Sequence, residues 1–228
     1  MKALLLLLTL LLPLRQEVEL DLLIPQGGAA LFTDYANANF RQQVEHTSAG
    51  DRIRVRGHTH FRLGPRTPLR PDQWALARQP DEVRAVAKRL LARCVDLGSF
   101  LDEMRSFLHR TITYSDEPLP QDPASVMRNR RAHCVGFANL TQALLRSAGV
   151  NCRPVRGFYL SQEEGGRIAP TSHRWLEIEA RPGVWFFFDP QYQNFSSRYL
   201  LLAGDTPFER IERFSLRLLD KDVQWIDQ

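Results

Sequence analysis

The chain has 228 residues, enough for one large domain or a domain with a small appendage, and its 43% hydrophobic share supplies a sizeable core. Thirty lysines and arginines against 26 acidic residues give a formal charge of +4, a mild bias toward anionic partners. The arginines are spread along the chain, with no lysine-rich tract and no base-stacking aromatic motif, which argues against a nucleic-acid partner.

"MKALLLLLTLLLPL" opens the chain with one lysine and an apolar run from Ala3 to Leu12. That is the length of an export signal's hydrophobic region and too short to span a bilayer. Residues 1–16 are therefore expected to be a signal peptide that sends the protein to the periplasm or outside the cell, although "PLRQEVE" has no small-x-small cleavage pattern. Without a true signal the location would be cytoplasmic. No later stretch resembles a transmembrane helix, so stable membrane insertion is not expected. The three cysteines, Cys94, Cys134 and Cys152, are too few for a disulfide framework. There is no CxxC, and no histidine clusters with them at zinc-site spacing, so neither metal nor other cofactor is expected.

"EVELDLLIP" alternates Val18, Leu20, Leu22 and Ile24 with Glu17, Glu19 and Asp21, which predicts a strand with one buried face. "DRIRVRGHTHFRL" predicts a second, with Ile53, Val55 and Phe61 on one face and Arg52, Arg54, Arg56, His58, His60 and Arg62 on the other. Two histidines lacking a third ligand read as part of a solvated face. The proline-rich "GPRTPLRP" reads as a linker. Residues 17–71 are thus an N-terminal β segment with its linker, and residues 72–228 the main domain.

Helical period follows. Val83, Val86, Leu90, Cys94 and Leu97 form one stripe, which predicts a helix that carries Cys94 into the core. "SFLDEMRSFLHRTITY" predicts another, with Ser99 as N-cap and Leu101, Met104, Leu108 and Ile112 facing inward. "DPASVMRN" starts a short helix at Asp122 and Pro123. From Cys134 to Ala148 the chain is apolar almost all round, which predicts a central buried helix closed by Gly149. "CRPVRGFYL", "HRWLEIEA" and "VWFFFDP" then read as strands, as does "RFSLRL" near the C-terminus. Strands, then helices, then strands indicate an α+β fold, with the Cys-bearing helix packed on an antiparallel sheet.

Cys134 stands at the first turn of its helix. There the unpaired N–H groups, the helix dipole and Arg130, Arg131 and His133 favour a thiolate. A packed thiol, half of a disulfide with Cys152, and an activated nucleophile are the competing roles. In "SHRWLEIEARPGVWFFFDPQ" the turn signal Arg181-Pro182-Gly183 is flanked by His173 and Asp189, each eight residues from Arg181. Folding there sets them opposite each other, give or take a one-residue bulge, with Trp175 and Trp185 beside the pair. Asp189 would orient His173, His173 would take the proton of Cys134, and the first helix N–H groups would receive the oxyanion.

"CVGFANLTQALLRSAGVNCRPVRGFYL", "HRW" and "FFFDP" in that order resemble the transglutaminase-like superfamily of papain-type cysteine enzymes, over roughly residues 80–192. The resemblance implies a papain-like core with Cys134 as nucleophile, His173 as base and Asp189 as orienting acid. It implies acyl transfer on peptide or protein amides, with hydrolysis by a protease or amidase favoured by analogy over amine-incorporating crosslinking. A non-catalytic binding module of the same fold is the alternative. No acidic run suggests the calcium sites of animal transglutaminases. The chain departs from the family pattern at Ala132, where glycine is usual, and at Gln191, where threonine or serine often follows Asp-Pro. Tyr114 is a candidate for the second oxyanion donor.

Overall fold

The computed structural model describes residues 17–25, 31–58, 79–162, 168–192, 198–202 and 216–219. His60, Phe61, Arg62, the expected 1–16 signal peptide and the expected 64–71 linker lie outside the described residues.

The four N-terminal strands form a five-stranded sheet together with a strand from far along the chain. β1 (Glu17–Ile24) lies between β4 (Gly50–His58) and β11 (Arg217–Leu218), while β3 (Phe40–Thr47) joins β4 to the short β2 (Tyr35–Ala36). The alternation seen in sequence holds: Leu20 pairs with Val55 and Leu22 with Ile53, and all four are buried. On the outer face the acids of β1 answer the arginines of β4, with Asp21 bound to Arg52 and Glu19 to Arg56. The basic stripe is thus largely neutralised by its neighbour. β3 was not apparent in the sequence because a glutamine takes an apolar position. Buried Gln42 donates to the carbonyls of Thr33 and Leu201 and accepts from the Leu201 N–H, so it satisfies its amide inside the core.

The second sheet has the antiparallel order β10 (Tyr199–Leu201), β7 (Cys152–Gln162), β8 (Ile168–Arg181), β9 (Val184–Phe188). One of its faces, through Leu176, Ile178, Phe186 and Phe188, shares a core with the helices. The other, through Phe158, Trp175, Phe187 and Tyr199, shares a core with Leu20, Leu22, Ile53 and Val55 of the first sheet. Helices, central sheet and N-terminal sheet are therefore three layers. Among the described residues no named strand of the N-terminal segment joins the central sheet, although Phe32 bridges to Leu202 at its edge; the segment covers one face of it. A polar link ties the two: buried Glu177 on β8 accepts from Tyr35, from Asn37 (2.7 Å) and from Arg153 (2.8 Å).

The helices are α1 (Asp81–Leu91), α2 (Leu97–Thr111), α3 (Pro123–Asn129) and α4 (Cys134–Ser147). α1 is shorter than its apolar stripe suggests. Cys94 sits half-buried in the turn after it, donating to the Leu90 carbonyl, and Leu97 opens α2. The cap of α2 is Asp96, ahead of the expected Ser99. Its carboxylate accepts the Ser99 N–H at 2.8 Å while the Ser99 hydroxyl accepts the Asp96 N–H, a reciprocal box that fixes the start. Asp122 and Pro123 begin α3 as expected. α4 ends where Gly149 turns left-handed (φ 77°), and the N–H groups of Gly149 and Val150 return to Arg146 and Leu145. Among the described residues no helix is long and apolar enough to cross a membrane.

Candidate active site

Cys134 is the first residue of α4, after His133, whose Nδ1 accepts the Val135 N–H as N-cap. That bond occupies one of the N–H groups expected to face an oxyanion. The entry to the helix is held by a residue that sequence reading missed. Gln121 accepts the His133 N–H through its side-chain oxygen at 3.2 Å, and its carbonyl accepts from Asn139 at 2.9 Å. A Cβ on Gly136 would crowd the Gln121 oxygen and stand 2.7 Å from the Ala132 Cβ. Ala132 itself is fully buried, so the first turn rests on packed side chains. Behind it Phe137, Ala138, Leu140, Leu144 and Leu145 anchor the helix in the core.

Strands β8 and β9 bring His173 and Asp189 together, though by a different register from the one counted around Arg181. The tight turn is Pro182-Gly183, with Gly183 left-handed, and a bulge falls between Glu179 and Arg181. Leu176 pairs with Phe188, so continuing the ladder sets Asp189 against Trp175, with His173 two residues along on the same face. The contact is diagonal, and His173 Nε2 meets Asp189 Oδ2 at 2.6 Å. Trp175 lies beside the imidazole, ring centroids 6.2 Å apart. Trp185 does not; it stacks under the Arg153 guanidinium. Gly157 is paired with His173, and a Cβ there would stand 2.6 Å from the Trp175 ring, so the glycine admits the indole.

Asp189 is completely buried and holds four contacts. Oδ2 accepts from Tyr199 (2.6 Å) and meets His173, while Oδ1 accepts the N–H groups of Gln191 (2.7 Å) and Tyr192 (3.3 Å). His109 of α2 meets the Pro190 carbonyl at 3.1 Å, which fixes the following turn. With Nε2 on Asp189, Nδ1 is the ring nitrogen left for Cys134, which favours the charged imidazole. Burial pulls the His173 pKa down, but the charge and hydrogen bond of Asp189, joined by Cys134, outweigh it and raise it to about 9.

Tyr114 lies on β5 (Thr113–Tyr114), paired with Ala132 of β6 (Arg131–Ala132) and so close to Cys134. Its hydroxyl donates to Asp116 at 2.6 Å. Tyr159 stacks on Tyr192 at 4.5 Å, and both rings flank His173. All three cysteines are free thiols, which leaves no bridge between Cys134 and Cys152. Cys152 is buried, and its thiol is pushed up to about 12 by that burial against the opposing influence of Arg146. Among the described residues no three His, Cys, Asp or Glu side chains converge as a metal site.

A cysteine-opened helix and a strand histidine with a buried aspartate partner thus make up the site. Residues 84–190 match the family model of the transglutaminase-like superfamily, so the chain carries a transglutaminase-like domain. Its fold is similar to that of a candidate cysteine protease from Cytophaga hutchinsonii, with a TM-score of 0.50, 11% identity and 92% of each chain covered. It is similar as well to the periplasmic domain of TgpA from Pseudomonas aeruginosa, with a TM-score of 0.50, 16% identity, and 78% of this chain and 70% of that one covered. No curated protein matches the sequence.

Proposed function

We propose that this protein is a cysteine-dependent acyl-transfer enzyme that cleaves peptide or protein amide bonds through Cys134, His173 and Asp189, with water as the acyl acceptor. The observation that carries this reading is the 2.6 Å contact of His173 Nε2 with buried Asp189, with Cys134 also favouring the charged form of the same ring.

His173 takes the Cys134 proton as the sulfur bonds to the carbonyl carbon, and the C=O π electrons move to oxygen. The Cys134 N–H, at the open end of α4, faces that oxyanion. Collapse re-forms the C=O and breaks the C–N bond, and the imidazolium gives its proton to the departing amine. Water, deprotonated by His173, then attacks the thioester, releases the acid and restores the thiol. A primary amine in place of water would give crosslinking by the same steps. Hydrolysis is supported by the similar fold of a candidate cysteine protease. An exported setting is supported by the Ala3–Leu12 apolar run and by the periplasmic domain of similar fold.

A screen of peptide amides with and without added primary amine tests the reading. Cleavage without amine incorporation, abolished by Cys134→Ala, is the expected result. Amine incorporation in preference to cleavage would turn the assignment to crosslinking, and turnover unchanged in Cys134→Ala would overturn it.

A further inference from the structure

Tyr159 of β7 and Tyr192, just past the Asp189-Pro190 turn, stack nearly parallel, with centroids 4.5 Å apart and ring planes at 16°. Both rings neighbour the base of the proposed reaction: Tyr192 lies 5.4 Å and Tyr159 6.0 Å from the His173 ring. The stack is held in place from inside the protein. Tyr159 meets buried Tyr199 edge-on at 5.3 Å, and the Tyr192 N–H donates to Asp189 Oδ1 at 3.3 Å. The carboxylate that orients His173 thus also sets the outer ring of the stack. Tyr192 nevertheless keeps 37% of its surface exposed. One face of its ring is taken by Tyr159, so aromatic surface is left to solvent beside the imidazole. A fixed ring with one face stacked is completed best by another planar ring. Offset or edge-on aromatic contact adds to what burial of the same area supplies, whereas an aliphatic side chain gains the burial alone.

We propose that the Tyr159–Tyr192 stack is an aromatic subsite beside His173, so that preferred acyl donors carry a phenylalanine, tyrosine or tryptophan side chain next to the scissile amide. The substrate preference rests on the acyl-transfer reading above; the subsite is tested without turnover.

The test alkylates Cys134 with the N-benzyl and N-(cyclohexylmethyl) derivatives of iodoacetamide, quantified on the Cys134 peptide by mass spectrometry. Each rate is divided by that of the same reagent with glutathione, which removes intrinsic reactivity. The two reagents share a reactive carbon and differ in whether the ring is aromatic. The wild-type benzyl-to-cyclohexylmethyl ratio is expected to be about fivefold, kept in Tyr192→Phe and brought to parity in Tyr192→Leu, which retains apolar bulk without a π face. Val95→Ser, at an exposed site on the turn between α1 and α2, should leave the ratio unchanged. Parity in the wild type, or a ratio that Tyr192→Leu leaves intact, overturns the subsite. Should the leucine variant fail to fold, the wild-type and phenylalanine proteins decide, and parity in either overturns the proposal. Failure of the acyl-transfer reading is separate, since it is read from turnover in Cys134→Ala.

Discussion

Tyr199 donates its hydroxyl hydrogen to Asp189 Oδ2, the same oxygen that meets His173, at 2.6 Å in each case. The tyrosine therefore competes with the imidazole for one lone-pair region of a fully buried carboxylate. Tyr199→Phe removes a charge-assisted bond and is expected to cost about 1.5–3 kcal/mol of stability, measured by urea unfolding. It also leaves more of the negative charge to His173. The alkaline limb of the activity profile should move upward by about half a pH unit.

Asp189→Asn should move that limb the other way. Asp189 holds the His173 cation up to about pH 9, and in the proposed mechanism that cation protonates the departing amine. Without the charge, burial dominates and the limb falls toward or below the ordinary histidine value of about 6.5. The linkage sign is the same for stability. A histidine whose folded pKa is raised contributes stability that is complete below about pH 6.5 and lost as pH rises through about 9. Wild-type unfolding free energy should drop across that window, and the drop should vanish in Asp189→Asn. A wild-type curve flat from pH 6.5 to 9 would contradict the assignment.

The cysteines should separate cleanly by reactivity. Cys134 is expected to be alkylated by iodoacetamide at pH 6 well before Cys152, which is buried with its thiol held at about 12. Intact-mass counting in denaturant should return three free thiols, and a value of one would mean a bridge that the structure lacks.

Gly136→Ala should damage the site through packing. The added methyl meets the Gln121 oxygen, the Ala132 Cβ and the Val126 side chain at 3.0 Å, and only the first belongs to a side chain long enough to swing away. A loss of about 1–3 kcal/mol is expected, with slower labelling of Cys134 as the first turn shifts. Unchanged stability and labelling would show that the turn repacks freely.

Much of this was legible in the sequence where one local pattern decided the outcome. β1 and β4 showed their buried faces by alternation, Asp122-Pro123 announced α3, and the apolar run from Cys134 announced α4. The transglutaminase-like blocks pointed to the family that residues 84–190 match. Competing local signals hid other parts. Cys94 and Leu97 continue a helical stripe straight through the turn that Asp96 and Ser99 impose. Gln42 interrupts the alternation of β3 because its amide is satisfied by groups far away in the chain. The nearness of His173 to Asp189 was readable from spacing, whereas their diagonal register depended on a bulge between Glu179 and Arg181. Tyr199 left no signal, since it reaches Asp189 through the long-range pairing of β10 with β7.

The pairing of β1 with β11 sets Leu22 against Leu218 and Leu23 against Arg217. β1 is thus flanked by a strand, Arg217–Leu218, from far along the chain. Until β11 is made, one edge of β1 offers open N–H and C=O groups, the kind of edge that recruits foreign strands. Closure over so long a loop is slow, so the nascent protein passes through a stage at which its first sheet is an adhesive, half-finished surface.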